Sequence, residues 1–91
     1  MQPQLPPEMI EKYISRRKDD VSTLKECLRL GDLSDAERIG HQMKVNGATF
    51  GFPELEDLGR RIELAAKQRE RIHLAELVSQ FEGVLSKVKF N

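Results

Sequence analysis

The sequence predicts an all-α protein folded as an antiparallel up-and-down four-helix bundle, and three observations lead to this prediction. Apolar residues recur at helical spacing in four successive stretches. Short segments rich in glycine, proline or polar residues separate these stretches, and such short connections favour antiparallel neighbours. A third of the residues are charged, only 5% are aromatic, and no segment has a clear strand pattern.

The first helix is expected to begin at Pro7, after an extended lead of residues 1–6, because proline suits the first turn of a helix. Arg17 lies within the apolar stripe and can lay its aliphatic stem along it. One long helix ending at Gly31 is the simplest interpretation, and a break in the charged run 16–20 is the alternative. The stripe consists of Ile10, Tyr13, Ile14, Arg17, Val21, Leu24 and Leu28.

The second helix is expected to begin near Ser34, capped by Asp32 or by Ser34, with Glu37 placed for a capping box from Ser34. It can extend no further than about Phe52, because the residue before Pro53 is disfavoured in a helix. Its predicted buried stripe consists of Ala36, Ile39, Gly40, Met43, Gly47 and Phe50.

The third and fourth helices follow Pro53 and are separated by a turn within 68–71. The buried face of the third helix is predicted to contain Leu55, Leu58, Gly59, Ile62, Ala65 and Ala66. Its outward face is predicted to contain Glu56, Arg60, Arg61, Glu63 and Lys67. The fourth helix is expected to run nearly to Phe90, with an apolar face of Leu74, Leu77, Val78, Phe81, Leu85 and Val88.

Length and composition restrict the function classes. The 91 residues fit one domain, 1–91, and 15 basic residues balance 15 acidic ones, which disfavours nucleic acid or an anionic membrane as a partner. Cys27 is the only cysteine, so an intramolecular disulfide is excluded. Neither a secretory signal at residues 1–7 nor a membrane-spanning segment is visible. We expect a soluble, cytoplasmic protein, and the initiating Met1 favours a stand-alone chain over a fragment of a larger kinase.

The stretch from His41 to Gly51 is unusual for a helix selected only for stability. Gly40, Gly47 and Gly51 would each cost about 1 kcal/mol relative to alanine in a helix interior. His41 lies roughly 140° from the centre of the buried stripe, and Lys44, Ala48 and Gly51 project on its flank. The pattern therefore predicts an exposed histidine beside a cation, with little bulk around it.

These residues carry a resemblance to a known family. The segment His41-x-x-Lys44, the small residues Gly47 and Ala48, the run 50–52 (Phe-Gly-Phe) and a leucine-rich third helix resemble a histidine-containing phosphotransfer (HPt) domain. The motif covers about 36–62, and the helix pattern covers the rest. The family fold is a four-helix bundle, in agreement with the periodicity.

The resemblance implies a phosphoprotein of multistep two-component signalling. His41 would accept a phosphoryl group from a receiver-domain aspartyl phosphate and pass it to another receiver, and Lys44 would neutralise charge on the phosphoryl oxygens. Docking would involve Gln42, Val45, Ala48 and Gly51. Response-regulator receiver domains, and a hybrid histidine kinase, would be the partners of a monomeric carrier. The resemblance implies no enzyme activity and no cofactor or metal of its own, because the divalent metal would belong to the receiver.

Two positions depart from the family pattern. Val45 stands where glycine is usual and is expected to tune partner choice or rate, or to weaken the carrier, while Asn46 replaces a common serine.

The alternative function is a helical adaptor or inhibitor that binds a receiver or kinase without carrying phosphate. A third class, an independent enzyme, lacks a visible acid–base pair or phosphate loop. His41 as an ordinary surface histidine is the structural alternative, and His73 is expected to be a boundary residue.

Overall fold

The computed structural model describes residues 5–88, which form four α-helices joined by connections of three, two and three residues. The helices are α1 (Pro7–Leu30), α2 (Ser34–Phe50), α3 (Pro53–Lys67) and α4 (Arg71–Ser86). No strand occurs in this described range. The predicted four-helix fold is therefore confirmed. Of the predicted N-terminal lead, residues 1–4 lie outside the described part of the chain, and Leu5 and Pro6 precede α1.

The helices pack as a ring in which α1 contacts α2, α2 contacts α3, α3 contacts α4 and α4 contacts α1. Their directions follow from which residues meet. Gly40 faces Glu63 while Gly47 faces Glu56, so α2 and α3 run in opposite directions. On α1 and α4, the Arg71 guanidinium reaches the carbonyl of Leu28, whereas Glu82 lies further back along α1 at Lys25, so this pair is also antiparallel.

The core consists of the apolar stripes predicted from the sequence. The predicted apolar positions of α3 are all buried, and those of α2 are buried except for Phe50, which is half-buried. On α4 five of the six predicted positions are buried, and Val88 packs at the edge of the core. Residues with no solvent exposure are found on every helix: Leu24, Ala36, Met43, Leu55, Ile62, Leu74 and Phe81.

Helix α1 continues unbroken through the charged run 16–20, and Arg17 within that run is buried and paired. The side chain of Arg17 is 8% exposed, its Nε lies 2.8 Å from Asp20 Oδ2, and its guanidinium carbon lies 4.8 Å from the centre of the Tyr13 ring. The burial of Arg17 confirms its predicted place within the apolar stripe, and the contacts that the structure gives for it are made by the guanidinium group. Burial raises the pKa of Asp20, the effect of desolvation exceeding that of the nearby Arg17 charge.

Helix ends differ from the predictions in two places. The N-cap position of α2 is Leu33 rather than the predicted Asp32 or Ser34, and Ser34, the first residue of the helix, makes no capping box with Glu37. Asp32 Oδ1 accepts hydrogen bonds from Ser34 N at 3.2 Å and from Ser34 Oγ at 2.7 Å, just before the helix. Helix α4 ends at Ser86, short of the predicted end near Phe90, which lies outside the described residues. Backbone bonds from Lys87 and Val88 to residues three positions earlier tighten its last turn.

None of the helices in the described range has an apolar stretch long enough to span a membrane.

Candidate functional site

His41 lies near the middle of α2 on its outward face. It is the eighth residue of the helix, and its side chain is 58% exposed. Lys44 follows one turn later, with 35% of its side chain exposed. Both side chains therefore occupy the positions predicted from the helical periodicity. A rigid helix rather than a loop holds the imidazole.

Glu63 of α3 connects these two residues. Its Oε2 lies 3.0 Å from His41 Nδ1, and its Oε1 accepts a hydrogen bond from Lys44 Nζ at 3.0 Å. Only 14% of the Glu63 side chain is exposed, less than of either partner. The prediction that Glu63 turns outward to solvent is therefore wrong. The carboxylate instead spans the contact between α2 and α3 and orders both side chains.

Glycines allow α3 to approach α2 closely enough for this bridge. A Cβ built on Gly40 would lie 2.5 Å from the backbone nitrogen of Glu63, and a Cβ built on Gly59 would lie 2.5 Å from the backbone nitrogen of Lys44. Gly47 makes the same type of contact with Glu56, at 2.6 Å. The backbones of the two helices thus touch on both sides of the histidine. The packing interpretation of Gly40 and Gly47 agrees with this geometry.

The electrostatics of the bridge determine which imidazole nitrogen is available. The hydrogen bond from Lys44, and more weakly that from His41, holds the pKa of Glu63 below its ordinary value of 4.5. At neutral pH the carboxylate is therefore ionised and can only accept hydrogen bonds. Nδ1 of His41 must then be the donor, and in the neutral ring the lone pair is left on Nε2.

The residues predicted to dock a partner differ in their surroundings. Val45 is 50% exposed, and Gln42 and Ala48 are also exposed. The side-chain oxygen of Gln42 accepts a bond of 3.4 Å from Arg38. Gly51 is half-buried and ends α2 with φ 77°, a left-handed conformation that favours glycine. Its conformation is therefore sufficient reason for a glycine at this position, independently of docking.

The other candidate side chains lie apart from this cluster. His73 is exposed on α4 and has a carboxylate oxygen of Glu76 3.9 Å from its Nδ1. Cys27 is buried, and this burial raises the pKa of its thiol. Phe50 and Phe52 both stack on Tyr13, as expected for helix-end packing. Within residues 5–88, no group of three His, Cys, Asp or Glu side chains is placed to hold a metal ion.

The sequence contained a signal for Glu63 that periodicity alone did not use. Glu63 lies four residues after Gly59, on the flank of α3 that a glycine contact would bring against α2. Lys44 on α2 needs a counter-charge on that flank. A search for small residues on both α2 and α3 that have oppositely charged residues beside them would have identified the ion pair of Lys44 with Glu63.

Comparisons with known proteins give one match. A family model described as the Hpt domain matches residues 8–89. Neither the search of curated proteins nor that of solved structures gave a significant match.

Proposed function

Because the chain belongs to the Hpt domain family, we propose that it is a histidine phosphocarrier of a multistep phosphorelay. His41 accepts a phosphoryl group from the aspartyl phosphate of a receiver domain and passes it to the aspartate of another receiver. Hpt domains transfer phosphoryl groups in phosphorelays and interact with receiver domains and histidine kinases. The residue assignment, the direction and the particular partners are part of this proposal.

The observation that carries the proposal is the bridge from Glu63 to His41. With Nδ1 donating to the carboxylate at 3.0 Å, Nε2 is the nucleophilic atom of an exposed ring. Its lone pair attacks phosphorus, the N–P bond forms, and the O–P bond to the aspartate breaks with both electrons leaving on that carboxylate. The phosphorylated ring keeps its Nδ1 proton and carries positive charge, which the Glu63 carboxylate stabilises. The reverse step returns the phosphoryl group to a receiver.

Lys44 supplies the positive charge for the transferred group. Phosphoryl transfer depends on positioning and on neutralising the charge of the equatorial oxygens. The ammonium group contacts Glu63 at 3.0 Å while 35% of the side chain remains exposed, so it can turn toward a phosphoryl group on His41 without crossing the core. The aspartate and the divalent metal belong to the receiver, and the carrier acts as a monomer in the cytoplasm without a nucleotide site of its own.

The test is phosphoryl transfer from a phosphorylated receiver to the purified protein. The wild-type protein should acquire acid-labile, base-stable label, and His41→Gln should abolish it. His73→Gln is the matched control, because His73 is also exposed, at 53%, and should retain full labelling. Label that persists in His41→Gln would refute the assignment.

The same variant separates a carrier from an adaptor. Val45, the departure from the family motif, has 50% of its surface exposed close to His41, where it could favour binding over transfer. If His41→Gln preserves both receiver binding and signalling in cells, the protein is a helical adaptor or inhibitor. A carrier requires signalling to be lost while receiver binding is kept.

A further inference from the structure

A groove of about 290 Å³ lies between the N-terminal half of α1 and the C-terminal turns of α2. The proposed transfer chemistry does not use it. Its lining comprises Met9, Lys12, Tyr13, Arg16 and Arg17 from α1, and Asn46 and Phe50 from α2. We call this feature the α1–α2 groove.

The floor of the α1–α2 groove is aromatic and ordered by stacking. The rings of Tyr13 and Phe50 are stacked with centroids 4.4 Å apart and 11° between their planes. The Arg17 guanidinium lies against the Tyr13 ring, and its Nε is 2.8 Å from Oδ2 of Asp20. Such a floor offers aromatic surface on which an apolar side chain can pack.

The rim of the α1–α2 groove is basic. Lys12 and Arg16 are exposed, lie one turn apart on α1, and have no carboxylate within 4 Å among the residues described. No acidic residue lines the groove, and α2 contributes only the neutral Asn46 and Phe50. The acidic residues near the rim on α1 are Glu8, Glu11 and Asp19, which are exposed and lie outside the lining, and Asp20, which is paired with Arg17. The groove therefore presents positive charge above an apolar floor, in a chain of zero net charge.

The groove is continuous with the surface around His41. Asn46 in its wall follows Val45, which is 50% exposed, and Val45 lies one turn along α2 from His41 on the outward face. Glu63 and Lys44 lie on the opposite flank of α2, toward α3. A protein that covers His41 can thus extend across Val45 to the α1–α2 groove without crossing the Glu63 bridge.

We propose that the α1–α2 groove is the specificity pocket for the receiver domain, and that it takes an acidic side chain next to an apolar one from the docked receiver. This inference rests on the proposed function for the identity of the partner. The apolar side chain packs on the Tyr13–Phe50 stack, and Lys12 and Arg16 attract the acidic side chain. Charges at the rim of an interface act mainly on association rate and partner choice.

The experiment compares two charge-reversed double variants of α1. Lys12→Glu with Arg16→Glu reverses the rim of the α1–α2 groove. The control is matched in charge: Lys18→Glu with Lys25→Glu makes the same charge change on the same helix, but these lysines line a different groove between α1 and α4, where Lys25 also pairs with Glu82. Circular dichroism first establishes that both variants are folded. Receiver binding is titrated with a panel of purified receiver domains from the source organism, and transfer to His41 is measured at subsaturating receiver.

We expect the groove variant to bind its receiver at least tenfold more weakly, to lose transfer rate in proportion, and to lose most of the salt dependence of association. The control variant should change binding less than twofold. Direct chemical phosphorylation of His41 by phosphoramidate, which needs no receiver, should be the same in all three proteins. Equal weakening in the two double variants, or no weakening in either, would overturn the specificity pocket.

Receiver binding and labelling are compared to separate this inference from the proposed function, and the titration is repeated in the His41→Gln background, where binding is measured without transfer to His41. A wild-type protein that binds receivers through the groove but takes no label supports the pocket and contradicts the carrier. A protein that takes label but binds equally well with the reversed rim supports the carrier and overturns the pocket. A wild-type protein to which no receiver binds contradicts both.

Discussion

A methyl group added at Gly40 is expected to destabilise the protein, whereas the same methyl group at Gly83 is expected to stabilise it. A Cβ at Gly40 would meet three backbone atoms of α3: Glu63 N at 2.5 Å, Gly59 O at 2.8 Å and Glu63 Cα at 2.9 Å. A Cβ at Gly83, inside α4, would have no heavy atom within 4 Å apart from its own helix and chain neighbours. Both glycines are helical, so the gain in helix propensity is the same, and only the surroundings differ.

The magnitude follows from these distances. Ordinary contact of a Cβ begins near 3.4 Å, so α2 and α3 must separate by about 1 Å to accept Gly40→Ala. Overpacking costs about 1–3 kcal/mol, and a backbone obstacle that has no rotamer to change places this case at the upper end. Helix propensity returns about 1 kcal/mol. We therefore expect a loss of about 2 kcal/mol for Gly40→Ala and a gain of about 1 kcal/mol for Gly83→Ala.

Urea unfolding followed by circular dichroism measures both changes. The two variants should differ by about 3 kcal/mol, or on the order of 10–20 °C in Tm for a chain of this size. Under conditions where Gly40→Ala is fully folded, receiver-dependent labelling should also be slower, because the shift moves Glu63 away from His41. Gly83→Ala should label like the wild type. A Gly40→Ala protein as stable as the wild type would refute the backbone-contact reasoning.

Three further predictions concern other features. The ion pair of Glu63 with Lys44 should stabilise the protein fully above pH 4.5, and this stabilisation should be lost as the pH falls through the lowered pKa of Glu63. Glu63→Gln should therefore be less stable than the wild type by about 1 kcal/mol at pH 7 and equally stable in strong acid. A difference in the free energy of unfolding that persists in acid would contradict this prediction. Arg69 has φ 57° after α3, so Arg69→Gly should raise the free energy of unfolding by about 1 kcal/mol, whereas Gln68→Gly, at φ −85°, should lower it. Cys27 is buried and the pKa of its thiol is raised. Modification by a thiol reagent should therefore be on the order of 100-fold slower in the native than in the urea-unfolded protein. Similar rates in the two states would show that the thiol is accessible in the native protein.

Periodicity and chain punctuation were enough to predict the fold. Gly31, Gly51 and Pro53 interrupt the apolar pattern, and each lies where a helix ends or begins in the structure. The end of α4 was predicted too far along the chain, because Val88 continues the apolar phase although the helix has already ended at Ser86. An apolar residue beyond a helix end can still pack on the core, and periodicity does not distinguish the two cases.

The candidate site was only partly predictable, because it lies between two helices. His41 and Lys44 were placed correctly on the exposed flank of α2, since one helix determines their direction. Glu63 was assigned to solvent, because a helical wheel describes the angle of a residue but not the distance to the neighbouring helix. Contact of Gly40 and Gly59 with backbone atoms of the facing helix brings that flank of α3 into the site.

The glycine contact also bears on how such a chain can diverge. The relative position of α2 and α3 around His41 is fixed by backbone atoms, which are the same in every sequence, at distances that only glycine permits. The atoms that a Cβ would meet at these glycines all belong to α2 and α3, so exchanging core residues of α1 and α4 leaves this contact itself unchanged. Selection on Gly40, Gly47 and Gly59 would preserve the close approach of the two helices, while the rim of the α1–α2 groove remains free to change with the partner.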